Sequence, residues 1–193
     1  MKYLNLLILI FTLSISSKPN IIIILTDDLG WGDVSYHGGS IPTPNIDKLV
    51  SNGVEMNRFY SDPSCSPTRA SMLTGINSFA NGVIRPFANP RVESFGMPLE
   101  HKIMPEYFRE AGYQTALSGK WHLGMSEDGF LPINRGFDST YGHLMGGIGY
   151  FDHGFSGRLD WHRNSVPLEE EGYSTTLIAN EAVRIIENIK PDF

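Results

Sequence analysis

Ile21-Ile22-Ile23-Ile24-Leu25 runs straight into Thr26-Asp27-Asp28-Leu29-Gly30-Trp31-Gly32-Asp33. A continuous β-branched run without polar alternation predicts a strand buried on both faces. Such strands belong to parallel sheets covered by helices. The segment therefore sets the expectation of an α/β fold, with a mostly parallel central sheet flanked by helices. Asp27 and Asp28 then stand at the carboxyl end of a central strand, where open α/β sheets bind ligands. Adjacent aspartates repel each other and are relieved by water or a cation. Hard divalent ions such as Ca²⁺ or Mg²⁺ take oxygen ligands of this kind. Taken alone, the pair reads more readily as a solvated turn.

Working outward, Thr43-Pro44 opens a helix, with Thr43 at the cap and Pro44 in the first turn. Ile46, Leu49 and Val50 form its apolar face and Gly53 ends it. Val54 to Tyr60 reads as a strand. The loop Ser61-Asp62-Pro63-Ser64 then delivers Cys65, the single cysteine of the chain. Ser66 to Thr74 reads as a helix that tolerates Pro67 in its first turn and stops at Gly75. Cys65 thus sits at a helix N-terminus, where free backbone N–H groups favour an anion. Arg69, one turn on, adds a permanent charge with a forked donor set.

Residues 76–102 are rich in Asn, Pro and Gly and read as loops. Met104 to Ala111 predicts a helix closed by Gly112, and Gln114 to Ser118 the next strand. That strand ends in Gly119-Lys120-Trp121-His122-Leu123-Gly124. In an extended segment Lys120 and His122 share a face. A cation beside a titratable imidazole suits an anionic substrate and proton transfer. Taken alone, the pair reads more readily as a surface lysine beside a structural histidine. From Asp128 to Gly172 periodicity is weak, and His143, His153 and His162 read as loop or packing residues rather than zinc ligands. A helix follows from Thr175, with Ile178, Ala182, Ile185, Ile186 and Ile189 as its stripe and Pro191 beyond it.

The 193 residues suffice for one domain with a real core. The net charge of −6 without a basic block argues against nucleic-acid binding. Met1-Lys2, the apolar run from Tyr3 to Ile15, and Ser16-Ser17 describe a secretory signal peptide over residues 1–17. Residues 18–193 form the remaining domain, and no membrane span is expected after cleavage. A lone cysteine in an exported chain has no internal partner. It is buried, bonded to another chain, or used.

Together these motifs resemble the type I sulfatases, the arylsulfatase branch of the alkaline-phosphatase superfamily. Leu25-Thr26-Asp27-Asp28-Leu29-Gly30-Trp31, Cys65-Ser66-Pro67-Thr68-Arg69 with Leu73-Thr74-Gly75, and Gly119-Lys120-Trp121-His122-Leu123-Gly124 look like that family's blocks. Arg135-Gly136-Phe137-Asp138 and Tyr173-Ser174-Thr175 look most like the arylsulfatase B group. The resemblance implies an alkaline-phosphatase-like fold and hydrolysis of sulfate monoesters, on a sulfated small molecule, hexosamine or glycosaminoglycan. It implies that a formylglycine-generating enzyme converts Cys65 to Cα-formylglycine, whose hydrate is the nucleophile. It implies Ca²⁺ held by Asp27, Asp28 and residue 65, with Arg69, Lys120 and His122 completing the catalytic set. His122 would remove the proton that allows sulfate to leave. Where the family usually has serine this chain has Thr68, which keeps the hydroxyl.

The resemblance further implies a lysosomal or extracellular destination. It places more metal ligands and a leaving-group acid beyond residue 193, so the chain is expected to be the N-terminal part of a catalytic domain and inactive alone. The competing readings are a non-catalytic glycan-binding product and a related phosphoesterase or phosphonate hydrolase.

Overall fold

The computed structural model describes residues 18–87 and 95–188. The expected signal peptide lies outside them, as do Ile189 and Pro191. The chain divides into two compact units, Met1–Glu55 and Met56–Phe193.

In the first unit, helix α1 spans Pro44–Asn52 with Pro44 in its first turn. Thr43 occupies the cap position, but its hydroxyl does not bond a helix N–H. It donates instead to Asp47 Oδ1 at 2.9 Å and accepts from the Ser35 backbone N–H at 2.9 Å. Ser35 Oγ donates to the other oxygen of Asp47 at 2.8 Å. The helix start is therefore fastened to the turn before it by a small hydroxyl–carboxylate network. His37 stacks on Trp31 with ring centroids 3.7 Å apart and reaches Glu55 Oε1 at 2.7 Å.

Two expected strands are not formed. Ile21 to Leu25 and Val54 to Tyr60 pair with no strand among the described residues and are exposed. An extended segment gains its backbone hydrogen bonds only from a neighbouring strand. Apolar patterning alone does not create the partner.

Among the described residues, the second unit holds a mixed four-stranded sheet and four α-helices. Helix α2 covers Cys65–Thr74, α3 covers Ser78–Asn81, α4 covers Met104–Glu110 and α5 covers Ser174–Asn188. Strand β1 is Ala116–Lys120 and β2 is Ser139–His143. Two-residue strands follow: β3 Gly154–Phe155, β4 Arg158–Leu159, β5 His162–Arg163 and β6 Val166–Pro167. The sheet order is β1-β2-β5-β6, and β3 pairs with β4 separately. The β1–β2 pair is parallel, as the α/β reading requires, while β5 and β6 add antiparallel edges. The weakly periodic span 128–172 thus contains ordered strands. They are too short to show alternation.

The β1–β2 register pairs Gly119 with Gly142. Gly142 has φ +130°, and a Cβ there would lie 2.3 Å from the Gly119 carbonyl oxygen. Only glycine permits that approach. Asp138 ties the start of β1, accepting from the Thr115 N–H at 2.9 Å and the Thr115 hydroxyl at 3.0 Å. Buried Arg135 donates to the His101 carbonyl at 2.7 Å. The Arg135-Gly136-Phe137-Asp138 block therefore builds scaffold.

Ala70, Leu73, Val83, Phe87, Met97, Ile103, Trp121, Leu123, Phe137 and Leu144 form one core. Its members come from α2, the segment after α3, and the segments following β1 and β2. Burying each large apolar side chain contributes about 1.5–3 kcal/mol. The same packing holds the head of α2 against the end of β1. On the other side of β1, Ser118 Oγ donates to the Ile178 carbonyl at 2.8 Å and docks α5. No helix among the described residues is long and apolar enough to cross a membrane.

Candidate active site

Helix α2 begins at Cys65 and ends where Gly75 turns left-handed, at φ 69°, and its N–H closes on the Ser71 carbonyl at 2.8 Å. Ser66, Pro67, Arg69, Ala70 and Leu73 are buried, which fixes the helix roll. Cys65 is half-buried at its N-terminal end.

The second element is the end of β1. The strand stops at Lys120, and pairing continues through two further backbone bonds. The Trp121 N–H donates to the His143 carbonyl at 2.9 Å and the His122 N–H to the Leu144 carbonyl at 3.0 Å. Trp121 is buried and donates its indole N–H to the carbonyls of Phe130, at 2.9 Å, and Gly124, at 3.1 Å. His122 then takes a left-handed backbone, with φ 58°. For a non-glycine residue this costs about 1–3 kcal/mol and persists only where surrounding contacts impose it. Lys120 and His122 thus do not share an extended segment, as alternation had predicted. The turn, not the strand, delivers the imidazole.

His122 is only 4% exposed. Its Nδ1 lies 3.1 Å from Cys65 Sγ and its Nε2 lies 3.1 Å from the Phe87 carbonyl oxygen. A carbonyl can only accept, so Nε2 carries the hydrogen and donates it. In the neutral ring Nδ1 then presents a lone pair to residue 65. This assignment follows from the partners. Gly146 packs on the ring, since a Cβ there would lie 2.6 Å from His122 Cε1.

Two further bonds lock the helix to this turn. Ser66, wholly buried, donates its hydroxyl to the His122 carbonyl at 2.8 Å and accepts the Phe87 N–H at 3.3 Å. Arg69, 8% exposed, donates from its guanidinium to the Lys120 carbonyl at 2.7 Å. Cys65, Arg69, Lys120 and His122 are therefore brought together by direct contacts between α2 and the end of β1. Sequence reasoning missed Ser66 and the Phe87 carbonyl. A serine inside a motif and a backbone oxygen in a loop carry no signal of their own.

The turn after β2 is held from below. Buried Asp160 accepts the Leu144 N–H at 3.1 Å and the Met145 N–H at 2.8 Å. Burial pushes its carboxyl above the ordinary value, and these two N–H groups pull the other way. Burial also pushes the neighbouring His162 imidazole below its ordinary value.

Asp27 and Asp28 lie in the first unit, exposed, with Asp28 left-handed at φ 55°. Adjacent carboxylates are hard oxygen donors and fit Ca²⁺ by chemistry, though they supply only part of its usual six to eight oxygens. A thiol at position 65 is a soft ligand and does not fit; an oxygen there would. Among the described residues, no three His, Cys, Asp or Glu side chains gather as a metal centre.

A family model, that of the sulfatases, matches residues 19–193. Arylsulfatase J of Mus musculus is 38% identical over 138 residues, covering 72% of this chain and 23% of its own length. Arylsulfatase G of Homo sapiens is 44% identical over 135 residues, covering 67% and 25%. N-acetylgalactosamine-6-sulfatase of Homo sapiens is 38% identical over 142 residues, covering 69% and 27%. The chain spans about a quarter of the length of these relatives. The solved structure of Ps i-CgsB in complex with k-i-k-neocarrahexaose superposes with TM-score 0.81 at 32% identity, over 91% of this chain and 43% of that one. BT4656 in complex with D-glucosamine-2-N,6-O-disulfate gives 0.70 at 32% identity, over 90% and 32%.

Proposed function

This chain belongs to the sulfatase family, and we propose that it carries the nucleophile half of a site that hydrolyses sulfate monoesters. The observation that supports this most directly is the 3.1 Å contact between Cys65 Sγ and His122 Nδ1. A base with its lone pair toward a helix-terminal side chain is placed to take a proton from a group there.

In this reading Cys65 is the precursor of Cα-formylglycine, made by a formylglycine-generating enzyme. Asp27, Asp28 and the converted residue 65 are ligands for Ca²⁺. The aldehyde hydrate supplies an oxygen nucleophile, and the calcium supplies positive charge that polarises the sulfate. The chain's own residues do the rest. His122 Nδ1 takes a proton from a hydroxyl on residue 65, the step that allows sulfate to leave. Its Nε2–H stays on the Phe87 carbonyl, so the ring keeps its aim while Nδ1 gains and loses the proton. Arg69 and Lys120 contribute two fixed positive charges to offset the negative charge of the sulfate oxygens. Arg69 also holds the Lys120 backbone, so the strand end that carries the lysine is fastened to α2.

The proposed substrate class is a sulfated sugar, with a sulfated hexosamine of a glycosaminoglycan as the first candidate. Relatives named for N-acetylgalactosamine 6-sulfate support the hexosamine choice. The proposed destination is the secretory pathway, lysosomal or extracellular.

The test is a peptide mass spectrum over residue 65 in protein made in a eukaryotic secretory host. Conversion lowers the cysteine mass by about 18 units. An unconverted thiol would sink the reading. In the full-length protein, turnover of 4-nitrophenyl sulfate against 4-nitrophenyl phosphate decides the ester class, and faster phosphate hydrolysis would reject the sulfatase assignment.

A further inference from the structure

The loop that delivers Cys65 carries an acid that this mechanism does not use. Asp62 stands three residues before Cys65. Its carboxylate accepts from Ser71 Oγ at 3.0 Å and from Ser78 Oγ at 2.5 Å. Its backbone carbonyl accepts from Thr68 Oγ1 at 2.9 Å. Thr68 and Ser71 lie on α2, and buried Ser78 is the first residue of α3. One residue is thus bonded twice to the helix that presents Cys65 and once to the helix beside it. Both hydroxyls donate to an acceptor-only carboxylate, the stronger kind of hydrogen bond.

The placement has a geometric consequence. Cys65 heads α2, and on its helix side the Thr68 N–H bonds the Ser64 carbonyl at 3.2 Å. On its loop side nothing regular holds residues 61–64. Asp62 supplies that hold, and Pro63 restricts the one backbone φ next to it. The backbone on both sides of residue 65 is thereby held.

We propose that Asp62 is a positioning residue for the reacting side chain at 65. It clamps the loop onto α2 and α3 so that residue 65 meets the imidazole. The inference rests on reading residue 65 as the reacting position. It assigns Ser71, Ser78 and Thr68 as the groups through which Asp62 acts. It also gives the Thr68 hydroxyl a task, since that oxygen seals the loop to the first turn of the helix.

The test reads the Cys65–His122 contact directly, by ¹⁵N resonances of His122 in unconverted, histidine-labelled protein. Cys65→Ala marks the Nδ1 position when the contact is absent. Asp62→Ala is expected to move Nδ1 to that position and leave Nε2 on the Phe87 carbonyl unchanged. Asp62→Asn, which keeps an acceptor oxygen, is expected to hold Nδ1 near the parent value. Asp138→Ala is the control, because it removes a carboxylate that accepts two hydrogen bonds from Thr115 at the opposite end of β1, and it is expected to leave both resonances in place. If Asp62→Ala does not fold, the double variant Ser71→Ala, Ser78→Ala removes both donors and is read the same way. A destabilised but folded Asp62→Ala with the parent Nδ1 resonance would overturn the proposal. The mass spectrum over residue 65 tests the sulfatase reading separately. An unconverted Cys65 together with Asp62-dependent Nδ1 would reject that reading and leave the clamp standing.

Discussion

Arg69 donates to the backbone carbonyl of Lys120 at 2.7 Å, so the guanidinium of α2 is fastened to the end of β1. Fixed cations stabilise transition-state charge only if they do not have to reorganise. Here the guanidinium that belongs to the helix also anchors the strand end that carries the lysine. The motif residue is therefore both charge and fastener.

Arg69→Ala is expected to lose about 1.5–3 kcal/mol of stability, the range for a hydrogen bond to a charged donor. Arg69→Lys is expected to recover little of it, because an ammonium does not reproduce the planar fork. Urea unfolding of the three proteins gives the comparison. Equal midpoints for parent and Arg69→Ala would show that the bond does not hold the strand end.

His122→Ala removes the group that faces residue 65. In a converted, active protein the expected loss is about 10²–10⁴-fold in kcat, the usual contribution of a positioned base. The mass over residue 65 is expected to stay at the converted value, which separates loss of the base from loss of the modification. Retained kcat with 4-nitrophenyl sulfate would remove His122 from the mechanism.

Much of this was legible in the sequence, for identifiable reasons. Helix α2 was readable because Pro67 and Gly75 mark its two ends, and α5 because Ile178, Ala182 and Ile185 recur at helical spacing. The order Cys65, Arg69, Lys120, His122 named residues on two elements that are in contact: Cys65 meets His122, and Arg69 bonds the Lys120 backbone. Strand β2 was not readable: Ser-Thr-Tyr-Gly-His is paired through its backbone and has no apolar alternation. The Ile21 to Leu25 run misled in the opposite direction, being patterned as a strand but paired with none among the described residues. The left-handed turn at His122 was also invisible, since nothing in a histidine announces a positive φ. Ser66 could not be found because its role depends on which carbonyl comes to meet it.

That serine makes the third prediction. Ser66 is wholly buried and serves the His122 carbonyl and the Phe87 N–H together. Ser66→Ala leaves both without their partner and is expected to cost about 1–3 kcal/mol. Ser66→Cys, with a weaker donor and acceptor, is expected to fall between parent and alanine. Thermal or urea midpoints measure the order. An alanine variant as stable as the parent would mean that both backbone groups find other partners.

The last prediction concerns pH and the seat of α5. Glu181 is 6% exposed, and its carboxylate takes two forked guanidinium pairs. Arg184 donates at 2.9 and 2.6 Å, and Arg163 of β5 at 2.7 and 3.2 Å. The hydrogen bonds from Arg184, and then those from Arg163, lower the carboxyl from 4.5 to about 2, against the opposing effect of burial. A carboxyl depressed in the folded state binds protons more readily when unfolded. Its contribution is therefore fully present above about pH 4.5 and is lost as the pH falls toward about 2. Glu181→Gln is expected to lower stability at neutral pH by about 1.5–3 kcal/mol, through loss of the charged acceptor. It is also expected to flatten the decline between pH 4.5 and 2, because that group no longer titrates. Unfolding midpoints of both proteins across this range decide it. Parallel curves for parent and Glu181→Gln would show that the acid dependence arises elsewhere, and coincident curves that the Glu181 pairs do not hold α5 on the sheet.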